Sequence, residues 1–461
     1  MKRLFYTLLF FLPCMLIACG GSDDTPDGDN NPPVVAPPCE EPVDSRLLYN
    51  GIRLPEQWPP VRSSSSELEK GMSPFYLSDK PSVINISVGR QLFVDNFLIE
   101  STNLKRTFYY PEYYSGNPIL TPEQDWEKTG TKGAAFAAPF SDGVWYDEKE
   151  GKYKMWYMAG GGSYATSGAG VTCYAESTDG IHWTKPTLSV VAGTNIVDYN
   201  SERDASVIWL DKQESNASKR YKMFLVARES GKWRYHYKTS PDGKVWRAAV
   251  QSEPIADRST VYKNPFRNVW VYSMRHNVRV DANKLVRARD YNENTDPEAG
   301  TKKAEALLSA FWFGPWANEQ HHTDYPNIAP AIYNQDATPY ESIMLGFFSV
   351  WQGPENDVCA SDNVIKRNQV MVGYSRDGYS WFREDMNPFH AVNTTTSDAW
   401  NQGNLQSVAG APLIVGDKLY FYLSGRRLRG TQEITTTGLA MLRRDGFASM
   451  KGTGELQTSL L

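Results

Sequence analysis

Cysteine is scarce and badly spaced in this chain. Five cysteines in 461 residues, none in a C-x-x-C pair, exclude a disulfide framework and a thiolate metal centre. Cys14 lies in an N-terminal apolar run and Cys19 just behind it. Cys39, Cys173 and Cys359 are an odd number, far apart, and read as buried free thiols. An excess of basic charge is missing too. The formal net charge is −5, so the chain is a poor nucleic-acid binder and none is expected as a partner. Helical periodicity is nearly absent, with Thr301 to Phe311 the one stretch expected to be helical. The apolar run Leu4 to Ile17 is too short for a membrane span and is preceded by Lys2 and Arg3, the pattern of a secretory signal.

What the chain has is aromatics, 13% of it, and a repeated strand pattern. Asp204 to Trp246 reads as four short strands. Ser206 to Leu210 is apolar and β-branched, Tyr221 to Ala227 is a second apolar run, and Trp233 to Thr239 alternates aromatic with polar. Ser240-Pro241-Asp242-Gly243 then turns the chain toward Trp246. A lone sheet of this size cannot bury both faces, so copies are expected beside it. The closing turn S-x-D-G-x-x-W recurs as Ser177 to Trp183 and Ser375 to Trp381, with weaker forms at Arg444 to Phe447 and Arg289 to Tyr291. Second strands recur at Tyr153 to Trp156, Tyr221 to Phe224, Trp270 to Tyr272, Ile343 to Phe347 and Leu419 to Tyr422. The turn aspartates 179, 242, 290, 377 and 445 are 63, 48, 87 and 68 residues apart, as loop insertions on a constant core would give. The pattern predicts an all-β fold, a five-bladed β-propeller with four-stranded antiparallel blades. A β-sandwich built from the same hairpins is the alternative.

Residues 1–18 are expected to be a signal peptide. Leu16-Ile17-Ala18-Cys19-Gly20 resembles a bacterial lipobox, which implies cleavage before Cys19 and lipidation of its thiol. Ser22-Asp23-Asp24 resembles the surface-export signal of Bacteroidota lipoproteins. The mature charge becomes about −7, because Lys2 and Arg3 leave and no acid does. Residues 19–45, rich in Gly, Asp, Asn and Pro, read as a flexible tether. Residues 46–135 are expected to wrap the propeller, with Gly89 to Glu100 as a strand or hairpin, and residues 136–461 to form it. The expected product is a monomeric outer-membrane lipoprotein whose contact with the membrane is its Cys19 anchor.

In such a fold the first residues of each inner strand meet the ends of the second strands around one mouth. Aligned on the inner strand, the segments are Phe140 to Asp147, Asp204 to Asp211, Asp257 to Asn264 and Asn327 to Asn334. They place Asp204 and Asp257 at one channel-facing position, with Asp142 two residues further along. Arg203 and Arg258 accompany them, and Asn404 and Gln406 come from the last blade. The second-strand ends add Arg228, Arg275, His276, Trp351 and Arg426. The loop before blade four adds His321, His322 and Asp324, too loosely spaced to be expected as metal ligands. Carboxylates around one pocket suit glycoside cleavage, where one protonates the leaving oxygen and another attacks or activates water. No cofactor is expected beyond a structural cation in the central channel. Asp179, Asp242, Asp377 and Asp445 read as turn formers.

The motif D-x-S-[VI]-[IV]-[WY]-x-D resembles the inner strand of five-bladed glycoside hydrolases: family 43, with its arabinanases and β-xylosidases, and the invertase-like families. The similarity runs from about Arg90 to the end through LFVDNFLIE, SDGVWYD, YKMWYM, GTNIV, YESIMLG, GDKLYFYLSGR and GLAMLRRDGFASM, and extends to a Bacteroidota lipoprotein subgroup. The resemblance implies catalytic acids on blades one, two and three, acting as base, transition-state stabiliser and acid. Asp204 matches the second, Asp142 is displaced from the first, and Asp257 stands where the family has Glu. Expected is a glycosidase, exo-acting on a furanoside or side-chain sugar of plant, algal or host oligo- or polysaccharides. A phosphorylase with phosphate in the arginine-rich mouth, a non-catalytic glycan-binding lipoprotein and a six-bladed sialidase are the competing classes.

Overall fold

A computed structural model describes residues 45–461, except 64–67, 69–70, 129–134, 165–169, 200–201, 281–283, 307 and 430–431. The expected signal peptide, Cys19 and nearly all of the tether lie outside the described residues.

The described chain is nearly all β, with short α-helices at Asp125–Lys128, Pro297–Lys303 and Asn356–Asp362. Side-chain alternation explains the strands. Along Lys232–Ser240, buried Tyr235, Tyr237 and Thr239 alternate with half-buried Arg234, His236 and Lys238. Strands follow in antiparallel runs. The first run is Ala135–Asp147, Lys152–Ala159, Val171–Ser177 and Ile196–Asp198. The second is Glu202–Leu210, Tyr221–Glu229, Lys232–Ser240 and Arg247–Gln251. The third is Thr260–Asn264, Val269–Arg279, Leu285–Asn294 and Ala310–Phe313. The fourth has three strands, Ala331–Tyr340, Ile343–Gly353 and Arg367–Ser375, extended by single bridges to Phe382 and His390. The last pairs Asn404–Val408, Lys418–Arg429 and Gln432–Arg443, and takes a further strand, Glu112–Tyr113, from the N-terminal segment. The first strands of successive runs touch in order, and that of the last run touches that of the first.

The repeated turns hold neighbouring runs together. In the second run Asp242 Oδ1 accepts the backbone N–H groups of Lys244 and Val245, while the Gly243 carbonyl accepts Trp156 Nε1–H of the first run at 2.6 Å. Gly243 has φ +77°, and a Cβ there would collide with the Trp156 indole, so the position requires glycine. In the same way the Gly378 carbonyl accepts the Tyr262 hydroxyl at 3.2 Å, from the run before its own. The Gly180 carbonyl of the first run accepts the Tyr422 hydroxyl of the last at 2.8 Å. Each turn thus clasps the preceding run, and the first run's turn clasps the last. Indoles stack edge-on across the first three runs, Trp145 on Trp209 and Trp209 on Trp270, with centroids 4.9 and 5.9 Å apart. Burial of such rings supplies much of the core.

The N-terminal segment is tied to the runs by a fully buried ion pair between Asp95 and Arg376, 2.8 Å apart. Ile99–Thr102 pairs with Leu456–Thr458, and Lys105–Phe108 with Ala448–Lys451. Several expectations need correction. Gly89 to Glu100 is mostly irregular, with a strand beginning only at Ile99. The helix lies at Pro297–Lys303, capped by the Asp296 side chain on Ala299 N, and Ala310–Phe313 is a strand. The fourth run's first strand begins at Ala331, because Tyr325 to Ile328 turn and Pro330 lacks a ladder N–H. Asp290 sits in mid-strand, bonded to His276, and forms no turn. Cys173 is a buried free thiol and Cys359 a half-buried one.

Candidate active site

Four first strands change register near their starts: between Ala138 and Gly143, Arg203 and Ser206, Ile332 and Asn334, and Leu405 and Val408. A bulge re-aims side chains that a regular strand would bury in its neighbours. Asp142, Asp204, Tyr333 and Gln406 lie within these four intervals. The third run instead enters its first strand through Arg258, held at φ +55°.

Asp204 Oδ1 accepts the backbone N–H groups of Ala205 at 2.7 Å and Arg258 at 3.0 Å, and lies 3.6 Å from the Arg258 guanidinium. Asp257 forms an ion pair with Arg275 of the adjoining second strand. Both carboxylate side chains are 26% exposed. Because Asp204 bonds the residue next to Asp257, the two acids stand on adjacent runs. Arg258 is buried. Its Nη2 donates to Ser407 Oγ at 3.1 Å, and its guanidinium lies over Phe140 and Tyr333 at 5.2 and 5.4 Å.

Asp142 is not at the surface of this group. It is fully buried, and both its oxygens accept Arg203 Nη2–H at 3.0 Å. Burial pushes its carboxyl up to about 6 against the pull of Arg203. Arg203 in turn donates to Thr172 at 2.6 Å. This pair is therefore shut away from solvent. Asp336, which the sequence alignment passed over, is a second buried carboxyl. Its Oδ2 accepts Val408 N–H at 3.1 Å and Asn334 Nδ2–H at 3.0 Å, and burial raises it to about 6. Asn404 is fully buried, and neither atom of its side-chain amide has a protein partner. Gln406 Oε1 accepts Arg426 Nη2–H at 2.8 Å, and Arg426 Nη1 donates to Glu433 at 2.6 Å.

The remaining expected residues are spread more widely. Arg228 is exposed, pairing with Glu202 at 3.4 Å. His276 binds buried Asp290 through Nδ1 at 2.9 Å, and that bond raises the imidazole. Trp351 packs beside a small apolar group that includes Val278 and Phe311. His321 Nδ1 meets the Pro326 carbonyl at 2.9 Å, while His322 Nδ1 accepts Asp324 N–H at 3.0 Å. Burial, then Arg367, lowers His322. His322, Asp324 and Arg367 line a surface pocket of about 410 Å³ with Gln402 and Leu428. Among the described residues no three His, Cys, Asp or Glu side chains cluster as metal ligands.

Tyr333, also missed, is half-buried under three cations. Arg287, Arg258 and Lys366 lie 4.7, 5.4 and 5.7 Å from its ring centre. Burial alone would raise its hydroxyl, but Lys366, Arg258 and Arg287 outweigh it and bring the group down to about 8.

No protein-family model matches the chain, and no curated protein does. Among solved structures it is similar to a glycoside hydrolase, at 13% identity and TM-score 0.44 over 74% of this chain and 94% of that one. It is also similar to a fructofuranosidase from Schwanniomyces occidentalis complexed with fructosylnystose, at 12% and 0.43 over 74% and 65%. A mannose phosphorylase from Leishmania mexicana in complex with phosphate is similar at 8% and 0.41 over 72% and 92%.

Proposed function

We propose that the chain is a five-bladed β-propeller that hydrolyses glycosidic bonds, with Asp204 and Asp257 as its working carboxylates. Ring closure is supported by the order of first-strand contacts and by the Tyr422–Gly180 clasp between last and first runs. The observation that carries the chemistry is the pair itself: two partly exposed carboxylates on adjacent first-strand ends, each with its own arginine. Two backbone donors and the Arg258 guanidinium at 3.6 Å converge on Asp204 Oδ1, which leaves Oδ2 for a water or sugar hydroxyl. Asp204 is thereby placed to accept a proton, and Asp257 is the second group that glycoside cleavage requires. Arg275 and Arg258 fix the two carboxylates relative to each other. Asp142 and Arg203 position the strand ends and take no part in contact with the sugar.

In the same reading the substrate is an oligo- or polysaccharide, and the protein works as a monomeric lipoprotein held to the outer membrane through Cys19. The test is a panel of aryl-glycosides and plant, algal and host oligosaccharides, assayed with and without inorganic phosphate. Reducing sugar released at equal rates in both supports hydrolysis. A sugar phosphate formed only with phosphate would move the reading to phosphorolysis. Binding of glycans with no turnover on any member would make the chain a binding protein.

A further inference from the structure

Around Tyr333 the cations outnumber the carboxylates paired with them. Arg258 is matched by Asp204 and Arg275 by Asp257. Arg287 and Lys366 are left, and neither side chain has an ion-pair or hydrogen-bond partner among the described residues; both lie over the Tyr333 ring, at 4.7 and 5.7 Å. Three different strands bring them there. Arg287 lies near the start of Leu285–Asn294, Lys366 directly before Arg367–Ser375, and Tyr333 in the bulge of Ala331–Tyr340. All three side chains are half-buried. Like charges gathered in a partly buried site repel strongly unless an anion joins them.

We propose that Arg287, Lys366 and Arg258, gathered on Tyr333, form a subsite for an oxyanion carried by the substrate sugar, a uronate carboxylate or a sulfate ester. This rests on the glycan-cleaving reading and adds the substrate class to it. Guanidinium groups suit such planar or tetrahedral oxyanions because their forked N–H groups bond two oxygens at once. Neighbouring groups agree with a positive field here. Arg275 is brought down to about 10 by burial and then by Arg287, with Asp204 opposing. The subsite adjoins Asp204 through Arg258, so the charged group would sit on or next to the sugar whose bond is cleaved.

The experiment is calorimetric titration of the full chain with D-glucuronate, D-galacturonate and galactose 6-sulfate, each against its neutral parent sugar, and with inorganic phosphate alone. At least one anionic sugar should bind about tenfold or more tighter than its parent, with an advantage that shrinks as salt rises. The double variant Arg287→Gln/Lys366→Gln should lose that advantage while still binding the neutral sugar as the wild type does. A second readout is independent of turnover. An anion between the cations should raise the Tyr333 hydroxyl, so a tyrosinate absorbance should appear near pH 8 in the free protein, be reduced in Tyr333→Phe, and fall on binding. Equal binding of every anionic sugar and its parent, or phosphate binding tighter than any anionic sugar, would overturn the proposal. Loss of turnover in Asp204→Asn with the anion preference intact would leave both readings standing. The preference without turnover on any glycoside would sink the enzymatic reading alone, and an anionic-sugar preference untouched by the double variant would sink the subsite alone.

Discussion

Oδ1 of Asp204 accepts the backbone N–H of Arg258 at 3.0 Å and lies 3.6 Å from the same residue's guanidinium. One carboxylate oxygen thus fixes both the main chain and the side chain of the next run. Arg258 needs that support, because its φ of +55° is unfavourable for a residue with a Cβ.

Shape and charge at Asp204 can therefore be separated. Asp204→Asn keeps an oxygen for the Ala205 and Arg258 amides, whereas Asp204→Ala leaves both N–H groups without an acceptor. Urea unfolding should place the Ala variant roughly 1–3 kcal/mol below the Asn variant. Equal stabilities would mean that the bond to Arg258 does not hold the turn.

Asp336 gives a pH prediction. Its buried carboxyl faces Arg258, the Ser141 hydroxyl, the Asn334 amide and Val408 N–H, and burial raises it from 3.8 to about 6. A raised folded value means that the stabilising protonated form is fully present below about 3.8 and lost as pH rises through about 6. The shift corresponds to roughly 3 kcal/mol at most. Asp336→Asn mimics the protonated form, so its melting temperature relative to wild type should be higher at about pH 7.5 than at about pH 5. Groups with the opposite sign, such as Asp147, are held down by Arg220, Tyr221 and Lys154 and cancel in that comparison, being present in both proteins. A difference independent of pH would contradict the assignment.

The clasp between runs is tested by two glycines of similar backbone. Gly243 and Gly231 have φ +77° and +79°, but a Cβ would strike the Trp156 indole at Gly243 and open space at Gly231. Alanine at Gly231 should cost about 1–2 kcal/mol, the left-handed penalty alone. Alanine at Gly243 should cost clearly more, because Trp156 must move and its bond to the Gly243 carbonyl goes with it. Similar losses at both sites would show that the turn does not clasp the neighbouring run.

The turns were legible because their chemistry is local. Asp179, Asp242 and Asp377 cap their own backbone two and three residues on, and the following glycine takes positive φ. Strand periodicity likewise made the all-β character plain. The bulges were not legible, since a register shift is a relation between two strands and leaves no mark in either sequence. Counting in twos turns Asp142 toward the surface, and the irregular stretch between Ala138 and Gly143 breaks that count. Asp336 escapes the same count for a related reason: a fourth segment aligned at Asn327 starts before the chain becomes a strand. Tyr333 gave no signal, because what singles it out are Arg287 and Lys366 from two other strands.

The lipid anchor has its own test. Cys19→Ala should move the protein from the membrane pellet to the soluble fraction, with globomycin-sensitive processing of the precursor lost as well. A variant still in the pellet would contradict anchoring through Cys19.

The central claim is tested most directly by the turnover of Asp204→Asn and Asp257→Asn on the best substrate of the glycoside panel, beside circular dichroism and melting curves that confirm folding. Each substitution keeps the shape of the side chain and removes its charge and its exchangeable proton. Each should lower kcat/KM by roughly 10²–10⁴-fold, with the bell-shaped pH profile of the wild type losing one limb in each variant. Folded variants that both retain near-wild-type turnover would contradict the account and return these two carboxylates to a structural role.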